Sequence, residues 1–249
     1  MRISITLLLL FILCPLPALC QVDKYIAEGD SLYHIFDNSG ALSRYQEALK
    51  SETGNVEALW KISRAYVDIG EHHQPESEQE SYFIRALAYA DSAIALAPDN
   101  AEAHIRRAIA IGKIALFKGV FKSVSLVKQV KESLERTLEL NPNLPVAHYV
   151  LARTHTKLCE KPKIARKLLG LGWADSDTAI MEYRKAIELD STFIMYRLDY
   201  ARHLLQLRNE KEAEKQLRII QTLPIRDEDD ESCKKTAAKL LTDIGGKRF

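Results

Sequence analysis

Apolar positions recur at helical spacing along nearly the whole chain. Tyr45, Ala48 and Leu49 fall on one face, as do Ala86, Ala90 and Ala93, and Tyr183, Ala186 and Ile187, because residues three and four apart share a side of a helix. Strand-like alternation is scarce. Helix stops fall at Pro98, at Pro142 and at the Glu-Leu-Asp-Ser before Thr192. There a proline or a polar N-cap residue ends one helix and opens the next. The pattern predicts an all-α chain. It also repeats: ALAPDNAEAH at Ala95–His104 returns 44 residues later as ELNPNLPVAH at Glu139–His148. Each copy has an apolar helix end, a proline in the same place, a polar step and a second apolar run closing on Ala-His.

NVEALWKISRAY (Asn55–Tyr66) and SGALSRYQEALK (Ser39–Lys50) resemble the first and second helices of the tetratricopeptide repeat. That repeat sets small residues at fixed steps so that two helices pack closely, then turns into the next pair. Its second-helix packing positions fall on Ala41/Tyr45/Ala48, Ala86/Ala90/Ala93, Val130/Leu134/Thr137, Ala179/Tyr183/Ala186 and Ala213/Leu217/Ile220. The first-helix small residue reads Gly29, Ser63, Ala108, Ala152 and Ala201. Ala48, Ala93, Thr137, Ala186 and Ile220 are separated by 45, 44, 49 and 34 residues. Against a standard unit of about 34, the three middle units carry insertions. EHHQPESEQES is polar and predicts a loop, whereas the stretch around LFKGVFKSVSLV stays apolar and predicts longer helices. EKPKIARKLLGLGWADSD mixes a basic face with Leu168, Leu169, Leu171 and Trp173; these fold into the groove as a lid or extend a helix pair as core, and core is the preferred reading.

The elongated units and the run from Ala179 to Pro224, followed by acids and a last helix, resemble the regulator of microtubule dynamics family over Lys118 to Leu241, and within it the family's bacterial relatives. The resemblance implies a fold and no settled activity. The expected architecture is a right-handed superhelical solenoid of five helix pairs in one domain, residues 21–249. Its units fall at about 22–55, 56–100, 101–144, 145–193 and 194–227, and a capping helix at about 229–244. Cys233, Ala237, Leu240, Leu241 and Ile244 give that helix one apolar stripe, suited to covering the open end of a solenoid. The acids of Asp227–Glu231 suit its N-terminus, where the helix dipole favours negative charge.

Residues 1–20 change the compartment. Arg2, an apolar run from Leu7 to Cys14, two prolines and Ala-Leu-Cys before Gln21 form the pattern of a secretory signal peptide. The run is too short to span a bilayer, which takes about 20 residues. Cleavage is expected near Cys20/Gln21 and export to a bacterial periplasm or cell envelope; the alternative is a lipoprotein anchored at Cys20. Losing Arg2 leaves 34 basic and 34 acidic residues, so nothing favours nucleic acid or an anionic membrane as an obligate partner. The mature chain keeps Cys159 and Cys233, read as core residues rather than a bridge.

Catalytic signatures are missing: no Gly-rich phosphate loop, His-Glu-x-x-His, Gly-x-Ser-x-Gly or CxxC pair. The sequence implies no enzyme, no cofactor and no metal. His104 and His148 share one repeat position, which reads as packing. His72–His73 lie in a polar loop, and His148 and His155 are seven apart on one helix.

The groove is the better candidate. First helices line the concave side of such a solenoid. One inward position reads Asp30, Arg64, Ile109, Arg153 and Arg202; another reads Ile26, Trp60, Ile105, Tyr149 and Leu198. Together they predict a row of arginines beside an aromatic and aliphatic row. Arginine suits carboxylate or phosphate, and large apolar groups anchor a buried partner. Trp60, Arg64, Tyr149, Arg153 and Arg202 are the candidate site residues. The expected function is a binding or scaffold protein taking a protein or peptide partner in the groove. The alternative is a carrier of a lipid or other small hydrophobic acidic ligand.

Overall fold

A computed structural model describes residues 16–118 and 120–246. Among them twelve α-helices run in order: α1 (Leu16–His34), α2 (Asn38–Ser51), α3 (Val56–His72), α4 (Gln79–Leu96), α5 (Ala101–Ala115), α6 (Val120–Leu140), α7 (Pro145–Cys159), α8 (Lys163–Leu168), α9 (Ser176–Leu189), α10 (Ile194–Gln206), α11 (Glu210–Thr222) and α12 (Asp230–Gly246). The pairs α1–α2, α3–α4, α5–α6, α7–α9 and α10–α11 stack in sequence, and α12 packs on α10 and α11. The all-α helical repeat read from the periodicity is the observed fold. The leader read over residues 1–20 lies outside the described residues as far as residue 15; the rest begins α1. No helix among the described residues is long and apolar enough to cross a membrane.

Polar caps start the helices where the sequence punctuates. Asn55 Oδ1 accepts the Ala58 N–H at 2.8 Å and Asn100 Oδ1 accepts the Ala103 N–H at 2.9 Å. Asp37 and Asp175 do the same for Gly40 and Thr178; each such cap contributes about 1 kcal/mol. Proline replaces the cap at α7, where Pro145 opens the first turn. The repeated Ala-His now has a cause. His104 Nε2 meets the Pro98 carbonyl at 2.8 Å, His148 Nε2 meets the Pro142 carbonyl at 2.9 Å, and Arg197 Nε donates to the Ser191 carbonyl at 3.1 Å. Each reaches six residues back and closes the turn between units.

All the second-helix packing positions are buried, from Ala41 and Tyr45 to Leu217 and Ile220, as are Gly29, Ser63, Ala108, Ala152 and Ala201. A Cβ added at Gly29 would lie 2.4 Å from the Tyr45 ring, so that crossing needs glycine. On α12, Cys233, Ala237 and Ile244 are buried with Leu240 and Leu241 against the last unit. Cys159 is partly exposed, and both cysteines are thiols; burial pushes the Cys233 thiol up to about 11.

The first and fifth units join their helices by the same tight turn. Phe36 and Arg208 take φ of 66° and 59°. The Asp37 N–H reaches the Leu32 carbonyl at 3.0 Å, and the Asn209 N–H reaches the Leu204 carbonyl at 2.9 Å. The middle units use their extra residues differently. The second lengthens α3 and α4 around a 3-10 turn at Glu76–Glu78, and the third extends α6 to 21 residues.

In the fourth unit the reading of the Leu cluster and Trp173 as core needs correction. Leu171 is buried, but Leu168 is 84% exposed. Trp173 is half-buried, edge-on to His155 at 5.1 Å with the Lys131 ammonium 5.6 Å from its ring. The reason is local: α8 has six residues, and its buried side is taken by Arg166, which donates to the carbonyls of Lys161 and Ala174.

Candidate functional site

The predicted site residues fall into two clusters, one at each end of the row of first helices. In the first, Asp30 on α1 accepts from Tyr45 Oη at 2.8 Å and from Lys61 Nζ at 2.5 and 2.6 Å. Arg64 donates to Tyr45 Oη at 3.2 Å and stacks 3.6 Å over the Tyr33 ring. Trp60 is half-buried, with the cations of Lys61, Arg64 and Arg106 at 5.3, 5.5 and 5.7 Å from its ring. Cation–aromatic contact of this kind holds the indole and guanidinium planes together.

The second cluster is gathered by Asp199 on α10. Its carboxylate accepts from Tyr149 Oη at 2.9 Å, lies 3.2 Å from Arg153 Nε and accepts from Arg202 Nη1 at 2.9 Å. Tyr149, Arg153 and Arg202 are therefore brought together. The carboxylate that joins them is absent from the sequence-derived site, although it sits one turn before Arg202. Burial and Asp199 hold the Tyr149 hydroxyl well above its ordinary pKa, so it remains a donor.

The predicted aromatic and aliphatic row is not on the groove. Ile26, Ile105, Tyr149 and Leu198 are buried between helices; only Trp60 is half-buried. Each lies three residues before a small packing residue, from Ile26 and Gly29 to Leu198 and Ala201, so it shares that residue's inward face. The arginine row is also broken. Ile109 at the middle unit packs with the core, and α5 instead supplies Arg106, which donates to Glu102, and Lys113, which pairs with Glu71. Burial, with Arg153 nearby, pushes Lys113 down to about 8.

The acidic run, read as a helix start, has two parts. Asp230 begins α12, and its Oδ2 accepts the N–H groups of Arg226 and Asp227 at 2.7 and 2.9 Å. The residues before it form a strap from the last unit to the first. Asn38 Nδ2 donates to Glu228 Oε1 at 2.8 Å across 190 residues of sequence. His72 Nε2 is 3.1 Å from Glu228 and 3.8 Å from Asp229. Arg226 anchors the other side by donating to Asp190 at 2.9 and 3.1 Å.

Under the strap is a pocket of about 40 Å³ lined by Tyr33, Asp68, Asp227 and Glu228 among others, room for about one water. Burial raises the Asp68 carboxyl to about 6; Arg106 and Arg64 oppose this, while Glu228 and Asp227 add to it. Beyond the strap, over α7, α9 and α10, a larger cavity of about 280 Å³ is lined by Arg153, Thr156, Tyr183, Asp199, Arg202 and His203 among others.

Comparison with known proteins fits this architecture. The family profile described as regulator of microtubule dynamics protein 1-3 matches residues 25–245. Regulator of microtubule dynamics protein 3 of Rattus norvegicus is 28% identical over 193 residues, which cover 75% of this chain and 41% of that protein. Protein 1 of Mus musculus is 26% identical over 234 residues, 91% of this chain and 76% of that one. The chain thus spans about two fifths of the first relative's length and three quarters of the second's. A solved tetratricopeptide repeat protein from Thermus thermophilus superposes with a TM-score of 0.66 at 18% identity, covering 89% of this chain and 99% of that one. At that identity the likeness shows the fold alone. The chain belongs to the regulator of microtubule dynamics family.

Proposed function

We propose that this protein is a non-catalytic binding scaffold that takes a protein partner along the first-helix groove. The observation carrying the reading is the Arg153–Asp199–Arg202 cluster. Both guanidiniums are about half exposed while their shared carboxylate is nearly buried, so two cations stand ready at the end of the groove that the strap leaves uncovered. Such groups anchor acidic partner residues through charge-assisted bonds. The carrier reading loses its long lipid chain: most of the side chains that line the groove cavity are charged or polar, which favour an occupant that carries polar groups.

The leader composition supports export, and we assign the mature chain to a bacterial envelope compartment, beginning at Gln21. N-terminal sequencing of the protein from its own source tests that, since a start at Met1 contradicts it. For the groove, the wild type and an Arg153→Ala/Arg202→Ala variant are purified from that source without detergent. The reading expects a co-purifying protein that the variant loses. Equal recovery with both reduces the pair to surface charge.

A further inference from the structure

The cavity of about 280 Å³ beyond the strap carries more chemical information than a protein-docking face needs. We propose that it binds a small monoanionic carboxylic acid that also bears one neutral hydrogen-bond donor. The proposal rests on the groove reading only in sharing Arg153 and Arg202.

The charge sets the anion. Arg153 and Arg202 converge on the single carboxylate of Asp199, while Lys157 at the rim pairs with Glu160 at 2.9 Å. One positive charge is left over in the cluster. Each guanidinium has five N–H donors, and the Asp199 contacts use Nε of Arg153 and Nη1 of Arg202. The shared aspartate pins both planar forks before any ligand arrives, the arrangement that suits an incoming carboxylate. One uncompensated charge matches a monoanion better than a phosphate dianion.

The floor sets the donor. Thr156, Tyr183 and His203 are each more than nine-tenths buried and line the same cavity. Thr156 Oγ1 lies 3.5 Å from Tyr183 Oη. Burial raises the Tyr183 pKa, so the phenol keeps its proton and adds a donor for the anion. His203 is different. Its Nε2 lies 3.4 Å from the Ser176 carbonyl and donates to it, so in the neutral ring Nδ1 is an acceptor. That Nδ1 is buried and finds no hydrogen-bond partner among the described residues, a state that is unfavourable until a donor reaches it. An ammonium donor would face the two guanidiniums, so the donor is neutral: a hydroxyl or an acylated amine. The volume falls just below the ~300–1,000 Å³ of ordinary ligand pockets, which limits the occupant to a small molecule.

The test is a calorimetric titration of the purified protein with 3-phenyllactate, 3-phenyllactamide and 3-phenylpropionate. The first has both groups, the second lacks the charge, and the third lacks the hydroxyl. Phenyllactate should saturate one site. The amide should bind at least about tenfold more weakly, and so should phenyllactate to Arg202→Ala, the loss expected when one charge-assisted bond is removed. Arg202→Lys keeps the charge and should recover part of the loss. His203→Phe should abolish the preference for phenyllactate over phenylpropionate. Should that buried variant melt early, the wild-type comparison of the two acids still decides the donor. Equal binding of acid and amide, no saturation by any probe at millimolar concentration, or full binding by Arg153→Ala/Arg202→Ala overturns the proposal. Only purified protein is present, so a failed titration leaves the protein-partner reading standing. Loss of the co-purifying partner with an intact titration separates the two the other way.

Discussion

Replacing Gly29 by alanine puts the repeat packing to a direct test. A Cβ there would fall 2.4, 2.7 and 3.0 Å from three atoms of the Tyr45 ring, all well inside van der Waals contact. Tyr45 cannot easily move aside: it is fully buried, and its hydroxyl donates to Asp30 at 2.8 Å and accepts from Arg64 at 3.2 Å. Overpacking of this kind costs about 1–3 kcal/mol. Losing a bond to a charged acceptor costs about 1.5–3 kcal/mol more, and the better helix propensity of alanine returns about 1 kcal/mol. The net expectation is a loss of about 1.5–5 kcal/mol. Gly112, inside α5, is the matched control, since an added Cβ there meets nothing within 4 Å. Gly112→Ala should stabilise by about 0.5–1 kcal/mol. Urea unfolding followed by circular dichroism should move the midpoint down for Gly29→Ala and up for Gly112→Ala. Adding Tyr45→Leu should cost less in the Gly29→Ala background than in the wild type, because the smaller side chain relieves the clash. If Gly29→Ala is as stable as Gly112→Ala, the close crossing of α1 and α2 on Tyr45 is wrong.

Other consequences are equally open to measurement. Asp68 is raised from 3.8 to about 6 on folding. Its contribution is therefore complete below about pH 4 and lost as pH climbs through about 6. Asp68→Asn should stabilise the protein at pH 7.5 by about 3 kcal/mol and flatten its urea midpoints between pH 4 and 7; an unchanged pH profile contradicts this. Asn38→Ala and Glu228→Ala should each speed hydrogen exchange across residues 224–229, with a coupling of about 1 kcal/mol between them; additive effects would mean the strap is held elsewhere. Asn100→Ala removes the cap on Ala103 and should lower stability by about 1 kcal/mol, measured by the same urea titration.

Much of the fold was legible because its cause is local. Buried Ala41, Ala86, Ala108, Ala152, Ala179 and Ala201 sit where helices cross, and a small residue at a fixed step shows in one sequence. The turns were legible for the same reason, since Asn55, Asn100 and Pro145 act on residues a few positions away. The groove was legible only in part. Arg153 and Arg202 show in their repeat position, yet Tyr149 lies three residues before the packing residue Ala152 and is buried between helices, where the repeat position suggests a groove-lining ring. Asp199 leaves no repeat signal, since the matching positions of the other units read Ala27, Lys61, Arg106 and Val150. The strap had no local signal at all: Asn38 and Glu228 meet across 190 residues, and an acidic run before a helix looks the same whether it caps that helix or bridges a solenoid. Leu168 and Trp173 show the opposite failure. Their hydrophobicity suggests core, but the six-residue α8 that ends at Leu168 turns only one narrow side inward, where Arg166 sits, and Trp173 lies in the turn beyond that helix.

The central claim is that the groove, and not the outer face, is where this protein meets its partner. Photo-crosslinking in the protein's own compartment tests it most directly. A photoreactive residue replaces Gln206 or Lys157 at the cavity rim in two variants, and exposed Met181 or Ile84 on the second helices α9 and α4 in two others. Discrete adducts from the rim positions alone are the predicted result, and adducts from Met181 or Ile84 with none from the rim would contradict it.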